Sequence, residues 1–302
     1  MRLFSRKWVR FVYGVIGLFA ALSPLVAESS SGLAYEEAAP QVRYWRPEAA
    51  GDSLWAVAAQ PVAVSNPPKR KDPKIVPVLY HNIVFGRTGN IYNRDLYNFE
   101  SDLGYLKRKY AFLGFQDLVD IHNGTKTIAT DATVVTFDDG DLSIYAIVYP
   151  LLKAFDIPAT FFLVPTYIGQ VGYMDWDQVR EMDRYRNVRG EKLFSFGSHS
   201  LTHRPLGELP ADEVLYEMRE SKRIIELELG SAVIAIALPF GSGSGDKQVL
   251  EAARESGYLA VRTSKPGAVF ASSMDLMNIN AFNVENYSSD VFVQHMLRIT
   301  GR

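Results

Sequence analysis

The amino-acid sequence predicts a parallel α/β domain that begins near residue 74. From there on, short apolar segments rich in β-forming residues alternate with segments of helical periodicity, the order produced by a parallel sheet with crossover helices. Several of the apolar segments are continuously apolar, as expected of strands that are covered on both faces. The repetition favours a barrel over an open sheet. A chain of 302 residues with 47% hydrophobic content is long enough for a sizeable core.

The predicted strands and helices follow one another in chain order. Strands are predicted at 75–80, 133–137, 159–164, 193–196, 233–238 and 258–263. Helices are predicted at 96–108, 143–155, 175–186, 211–229, 246–256 and 291–299. The fourth helix has clear boundaries because Pro210 precedes it and Gly230 follows it, positions that these two residue types favour.

The first 73 residues differ in composition from the rest. Residues 1–27 combine a basic start, an apolar run at 11–22 and a small residue at Ala27, which is the layout of a cleaved secretory signal peptide. The run is shorter than the ~20 residues that span a bilayer, so contact with a membrane is expected only if this segment is retained. Residues 28–73 are rich in Ala, Ser and Pro and are predicted to be a linker or arm, which leaves 74–302 as the folded domain.

Charge and cysteine content exclude several kinds of site. Without residues 1–27 the chain carries 28 basic and 34 acidic residues, and this net charge of −6 argues against nucleic-acid binding driven by bulk charge. Cysteine is absent, which excludes disulfides, a thiolate nucleophile and a cysteine-ligated metal. Any metal must therefore be held by His, Asp or Glu.

Three polar clusters follow predicted strands, where barrel enzymes carry their chemistry. TFDDG at 136–140 places two adjacent carboxylates after a buried strand, which is costly unless they are paired or bind a metal. HSLTH at 199–203 has two histidines four residues apart, which can face one metal if the segment coils as a helix. LPFG at 238–241 predicts a rigid turn. Taken singly, each cluster also fits a plain structural role, such as a capped turn or an accidental histidine pair.

Together the three clusters indicate a catalytic metal centre. One carboxylate and two histidines supply three N and O ligands and leave a position open for water, as in catalytic zinc sites. The metal lowers the pKa of that water, and a second carboxylate accepts its proton. Adjacent aspartates can divide these tasks because neighbouring side chains point in different directions.

In this order the three clusters resemble the motifs of the NodB-homology polysaccharide deacetylases, carbohydrate esterase family 4, from about residue 75 to the C-terminus. The resemblance implies a distorted (β/α) barrel that hydrolyses N-acetyl groups on an amino-sugar polymer. It implies Asp138 as general base, and it implies Asp139, His199 and His203 as ligands of a divalent metal, usually Zn²⁺. It also implies that the backbone N–H of Phe240 donates to the oxyanion.

Two family residues have no counterpart at their expected positions. The arginine that begins the third motif and supports the base is replaced by Ala237, and the stretch 279–284 lacks the histidine that acts as general acid. Both departures resemble the branch that acts on exopolysaccharides such as poly-N-acetylglucosamine. His295 lies in a predicted amphipathic helix and is expected to be a surface or packing residue. The proton for the leaving amine is expected from Asp138, acting as base and then acid, with His81 as the alternative.

Two other functions fit part of the pattern. The missing arginine and histidine fit a carbohydrate-binding domain that kept the fold and the metal but lost turnover, although binding alone does not need the second carboxylate, Asp138. A glycosidase needs two carboxylates roughly 5–9 Å apart across the scissile bond, which adjacent aspartates do not provide. We therefore expect a secreted, periplasmic or cell-envelope hydrolase of an N-acetylated polysaccharide. The polymer is left open among poly-N-acetylglucosamine, peptidoglycan and chitin-like chains.

Overall fold

The structure is a computed structural model that describes residues 67–86 and 88–301. The predicted signal peptide (1–27) and all but the end of the predicted linker (28–73) lie outside the described residues. The last residues of that linker contact the domain. Lys69 forms a β-bridge with Thr130, and Arg70 Nε lies 3.2 Å from Asp131 Oδ2. The division of the chain into three segments remains a prediction.

Eleven strands occur in the described residues, and nine of them form one mixed sheet that curls into a half-barrel. The strands are β1 (Lys74–Tyr80), β2 (Asn82–Val84), β3 (Asn93–Asp95), β4 (Ala111–Phe112), β5 (Ala132–Phe137), β6 (Ala159–Leu163), β7 (Phe194–Ser198), β8 (Ala235–Ala237), β9 (Ala260–Arg262), β10 (Val269–Phe270) and β11 (Phe282–Asn283). The central strands run parallel in the order β1, β5, β6, β7, β8, β9. β10 is antiparallel to β1, whereas β11 and β4 pair in parallel with β1 and β5.

Seven α-helices alternate with the strands in the described part of the chain. They are α1 (Leu96–Lys109), α2 (Phe115–His122), α3 (Tyr149–Phe155), α4 (Trp176–Arg184), α5 (Ala211–Leu229), α6 (Lys247–Glu255) and α7 (Ser289–Thr300). Among the residues described, none of the helices has both the length and the apolar content of a membrane span. The alternation and the curled sheet confirm the predicted α/β fold with a distorted barrel.

All six predicted strands and five of the six predicted helices are present with boundaries within two residues of those expected. The helix predicted at 143–155 is divided, because a π-helical turn at Ile144–Val148 precedes α3. Pro150 lies at the start of α3 and has no amide hydrogen to continue an α-helical ladder. The hydrogen-bonding register therefore changes before the proline.

The sequence patterns do not predict α2 or the strands of two or three residues other than β8 and β9. α2 begins after Gly114, whose N–H donates to Asp117 Oδ2 at 2.7 Å, and it buries Leu118 and Ile121. Its eight residues make only two turns, too few for a clear periodic pattern. β4, β10 and β11 pair with longer strands, whereas β2 and β3 pair with each other, and strands this short have no periodic pattern of their own.

The hydrophobic core extends to the carboxyl ends of the central strands. Phe161 on β6 packs against Phe137 on β5 and Phe196 on β7, with ring centroids 5.3 Å and 5.5 Å apart. The next residue of β7 is Gly197. A side chain does not fit there, because a Cβ at this position would lie 2.5 Å from the ring of Phe162. This close packing fixes the end of β7, where the loop with the two candidate histidine ligands begins.

Candidate active site and metal centre

The predicted site residues meet at one edge of the sheet. Asp138 and Asp139 directly follow β5, and His199 and His203 lie on the loop that follows β7. The sheet continues into this loop, since the backbone N–H of His199 donates to Leu163 O at 2.7 Å. The carboxyl ends of parallel strands lie side by side, which brings together motifs that are 60 residues apart in the chain.

Asp139, His199 and His203 form the candidate metal centre, with one ligand-type atom from each within 4.8 Å of the others. Asp139 Oδ1 lies 3.3 Å from His203 Nε2 and 3.6 Å from His199 Nε2. This oxygen is buried and has no hydrogen-bond partner among the described residues, which is costly unless a cation binds it. Burial and the neighbouring Asp138 raise the pKa of Asp139 to about 6, so a cation would stabilise its charged form. The donor set fits a divalent metal ion.

The surroundings of both histidines favour the neutral ring, and those of His199 also leave its Nε2 available for a metal. His199 Nδ1 lies 2.8 Å from the carbonyl oxygen of Ala237. Because a carbonyl only accepts, Nδ1 must carry the hydrogen, which leaves a lone pair on Nε2. Burial lowers the pKa of His199 to about 3 and lowers the pKa of His203. Both rings are therefore neutral at pH 7, the form that binds a metal.

Strained backbone is concentrated at this site. Of the five non-glycine residues with positive φ in the described residues, four lie here: Asp139 (71°), Ser200 (61°), His203 (61°) and Phe240 (58°). Such conformations cost about 1–3 kcal/mol each and persist where the surroundings determine them. The segment between the two histidines is irregular and not the helical turn considered in the sequence analysis. Its two bends bring the imidazole rings to 4.8 Å, centroid to centroid.

Asp138 lies beside the metal centre and is held by Arg262. Both of its carboxylate oxygens accept hydrogen bonds from Arg262 Nη2, and its Oδ2 lies 3.4 Å from His199 Nε2. Asp138 is 2% exposed and Arg262 is 0% exposed. Burial raises the pKa of Asp138, but Arg262, His199 and His81 outweigh it, and the pKa is lowered. Asp138 is therefore a charged carboxylate at neutral pH, as a general base must be.

Arg262 supplies the guanidinium that the sequence analysis found missing at Ala237. Ala237 on β8 and Arg262 on β9 are register partners on adjacent parallel strands, so an arginine one strand further along reaches the same carboxylate. The motif position is Ala237, as the sequence shows, but the carboxylate nevertheless has an arginine partner. The sequence does contain an indication of this contact. Arg262 is a charged residue inside the apolar segment 258–263, and such a residue needs a buried counter-ion.

Phe240 lies at the tip of the turn after β8. Its φ of 58° falls within a 3₁₀ turn, Pro239–Gly241, and this turn is closed by Gly241 N–H donating to Leu238 O at 2.9 Å. Phe240 is 68% exposed, and its ring packs on the imidazole of His203 with centroids 4.6 Å apart. The turn thus places Phe240 beside the metal centre, and the oxyanion role of its backbone N–H remains a prediction.

A cavity of about 370 Å³ opens over these residues. Its wall includes all five predicted site residues together with His81, and it adds residues that the sequence analysis does not assign: Leu79, Asn82, Asn90, Tyr92, Ser264 and Asn283. These additional residues come from separate short segments. They form no contiguous motif, so only the fold identifies them.

His81 lies in this cavity directly after β1. Its Nδ1 is buried and has no hydrogen-bond partner among the described residues, and its ring contacts Tyr92 with centroids 4.7 Å apart. Its charge is one of the influences that lower the pKa of Asp138, after Arg262 and His199, which indicates that the ring lies near that carboxylate. His295, by contrast, packs on Phe282 and does not line the cavity, as the sequence analysis expects.

The fold and the site agree with the family that the chain matches. Residues 126–261 match the family model of polysaccharide deacetylases, a stretch that contains both aspartates, both histidines and the LPFG turn. The matched stretch is a polysaccharide deacetylase domain, the domain of a family of hydrolases, which confirms the resemblance found in the motifs.

Individual relatives extend this similarity over most of the domain. The chain is 27% identical to YxkH of Bacillus subtilis (strain 168), whose name places it in the same family, over 202 residues, or 66% of this chain and 68% of that protein. It is 24% identical to a poly-β-1,6-N-acetyl-D-glucosamine N-deacetylase of Staphylococcus aureus (strain MRSA252) over 213 residues, or 61% of this chain and 72% of that protein.

Solved structures show the same fold. The deacetylase PplD of Streptococcus pyogenes, in complex with acetate, has a TM-score of 0.65 and 24% identity, covering 75% of this chain and 99% of that one. IcaB from Ammonifex degensii has a TM-score of 0.59 and 24% identity, covering 74% of this chain and 95% of that one.

Proposed function

We propose that the protein hydrolyses N-acetyl groups of an N-acetylhexosamine-containing polysaccharide with a bound divalent metal, Zn²⁺ by its donor set, and releases acetate. The observation that carries the proposal is the meeting of Asp139, His199 and His203 beside the separately held carboxylate of Asp138. Three protein ligands leave a position open, which is a catalytic arrangement. The S. aureus relative, named for deacetylation of poly-β-1,6-N-acetyl-D-glucosamine, supports a polymer of this kind as substrate.

The residues divide the reaction between them. A metal held by the three ligands would polarise the acetyl carbonyl and acidify water in the cavity. Asp138 accepts the proton of the attacking water, and Arg262 keeps its carboxylate charged and fixed in place. The backbone N–H of Phe240 donates to the oxygen on which negative charge develops.

The leaving amine needs a proton, and we propose that His81 gives it. In the alternative route, which the sequence favours, Asp138 takes the proton of the attacking water and then passes it to the nitrogen of the leaving amine. Arg262 opposes that route because it disfavours the protonated form of Asp138 and occupies both carboxylate oxygens. His81 lines the same cavity, and its Nδ1 makes no hydrogen bond to another described residue.

An amino-sugar polymer of the cell envelope or of a secreted matrix is a substrate outside the cytoplasm. The predicted export segment, residues 1–27, would bring the enzyme to it. A secreted, periplasmic or envelope location is therefore part of the proposal, and it depends on that segment and on the substrate class.

Acetate release from poly-N-acetylglucosamine, peptidoglycan and chitin-like chains tests the proposal. The purified protein should release acetate from at least one polymer when loaded with zinc, and a chelator should abolish the release. His199→Ala and His203→Ala should each lose both metal and activity with an unchanged circular dichroism spectrum. Full zinc occupancy in either variant would contradict the ligand assignment. A zinc-loaded protein that binds a polymer without releasing acetate would support the alternative of a carbohydrate-binding domain.

A further inference from the structure

The loop that carries both histidine ligands is held from behind by one buried carboxylate. Glu217 lies on α5 and is 3% exposed. Its Oε2 accepts hydrogen bonds from the backbone N–H groups of Leu201 and Thr202, both at 2.9 Å. Its Oε1 accepts a third from the Thr202 hydroxyl at 2.5 Å. Leu201 and Thr202 lie between His199 and His203, so Glu217 contacts the loop at its centre.

All three of these donors come from the loop. The cation that follows the loop, Arg204, pairs with Glu213 at 2.6 Å and not with Glu217. A buried carboxylate without a cation is costly unless hydrogen-bond donors surround it. Glu217 and the loop conformation therefore depend on each other, since the carboxylate is satisfied only while the loop keeps this shape.

The loop needs such support because its backbone is strained. Ser200 and His203 both have positive φ, and neither is a glycine. On the other side of the loop, Leu201 O accepts from the N–H of Thr166 at 3.3 Å and from its hydroxyl at 2.9 Å. Leu201 is thus fixed at its N–H by Glu217 and at its carbonyl by Thr166, which holds the bend between the histidines.

We propose that Glu217 is a positioning residue of the metal centre, which holds loop 199–203 in the strained conformation that lets His199 and His203 share one metal. The inference rests on the proposed function only in requiring that the chain binds a metal. Without the carboxylate, the backbone can relax toward unstrained φ values and carry His203 away from Asp139. Metal affinity should then fall by about 10–100-fold, the usual effect of losing a residue that orients metal ligands.

Zinc affinity, measured by competition with a chromophoric chelator well below the unfolding temperature, tests this inference. Glu217→Met keeps the side-chain length but removes both acceptors, and it should bind zinc about 10–100-fold more weakly. Glu217→Gln should bind more tightly than the Met variant, because one amide oxygen can still accept from both backbone N–H groups. Glu220→Met is the matched control, since Glu220 lies on the same helix but pairs with Arg223, and its affinity should be unchanged.

A second readout separates positioning from general stability. The absorption spectrum of bound Co²⁺ should change in Glu217→Met, because the coordination geometry changes. A purely structural role would lower the Tm of the metal-free protein but leave the zinc affinity and the Co²⁺ spectrum of the folded variant as in wild type. A folded Glu217→Met protein with wild-type zinc affinity overturns the proposal.

Thr202 provides a milder test if Glu217→Met does not fold. Thr202→Val removes only the hydroxyl donor and should weaken zinc binding, whereas Thr202→Ser keeps that donor and should not. Equal zinc affinities in the two variants overturn the proposal. Wild-type protein that binds no zinc would instead refute the proposed function, so the two failures are distinguishable.

Discussion

Two buried arginine–aspartate pairs lie in this domain, and they differ in how completely they are hydrogen-bonded. Arg94 and Asp102 are both 0% exposed, and all three guanidinium nitrogens of Arg94 have partners, either Asp102 or the backbone carbonyls of segment 285–287. Arg262 offers only Nη2 to Asp138. Its Nε and Nη1 are buried and have no partner within the described residues.

The first pair joins parts of the fold. Asp102 on α1 also accepts hydrogen bonds from the hydroxyls of Tyr80 at 3.2 Å and Ser289 at 2.6 Å, which connects β1, α1 and the start of α7. Burial raises the pKa of Asp102 to about 6 in spite of Arg94, so desolvation outweighs the attraction of the arginine. This pair therefore holds β1, α1 and the start of α7 together, although burying its charges costs free energy.

The second pair contains the proposed general base, Asp138. Asp138 has a lowered pKa because Arg262, with His199 and His81, outweighs the effect of burial. Unpartnered buried polar atoms and shifted pKa values cluster at functional sites, where groups are kept available for a ligand. All guanidinium nitrogens of Arg94 are hydrogen-bonded, whereas two of those of Arg262 are not, so incomplete hydrogen bonding, more than burial itself, distinguishes the pair with the proposed base from the structural pair.

The largest difference between the two aspartates should appear in turnover. Asp138→Asn keeps the shape of the side chain but cannot accept a proton, so acetate release should fall by about 10²–10⁴-fold while zinc content stays near one per chain. Asp102→Asn should leave turnover per folded molecule unchanged and lower the free energy of unfolding, as measured by urea denaturation. Wild-type turnover in Asp138→Asn would show that Asp138 is not the general base.

The next effect concerns the proton donor. If His81 protonates the leaving amine, His81→Ala should lower turnover by about 10²-fold or more with zinc still bound. His295→Ala is the control, because His295 packs on Phe282 outside the cavity, and its turnover should equal that of wild type. A small loss in His81→Ala would return the acid role to Asp138, the route that the sequence favoured.

A smaller effect is expected from the arginine beside the base. Arg262→Met removes the charge that lowers the pKa of Asp138, so that pKa should rise. Because the base acts when deprotonated, the acidic limb of the pH–rate profile should move to higher pH, and turnover should fall about 10-fold or more. Arg262→Lys restores a positive charge and should move the limb back. An acidic limb that stays in place in Arg262→Met would show that Arg262 does not control the base.

The contiguous parts of the site could be predicted from the sequence, and the dispersed parts could not. Asp138, Asp139, His199 and His203 lie in short motifs directly after strands, and the parallel sheet brings strand ends together. Arg262 escaped notice because it depends on the register between β8 and β9, which periodicity does not give. The order of the longer strands and helices was recovered because it follows from local patterns, whereas α2 and the shortest strands are too short to show such a pattern.

The smallest effect tests the structural pair through pH. The pKa of Asp102 in the folded protein is about 6, above its ordinary value of 3.8, so the native state binds this proton more tightly than the unfolded state does. The resulting stabilisation is fully present below the ordinary value and is lost as the pH rises through about 6. The free-energy difference between wild type and Asp102→Asn should therefore grow by about 1 kcal/mol in favour of wild type between pH 7.5 and pH 5. His199 has the opposite effect on stability, because it stays neutral in the folded protein and becomes protonated on unfolding. This effect is the same in wild type and in Asp102→Asn, so it cancels in the difference between them. Urea denaturation of the metal-free proteins at the two pH values measures the difference. A pH-independent gap would mean that Asp102 keeps an ordinary pKa, and the electrostatic contrast between the two pairs would then be lost.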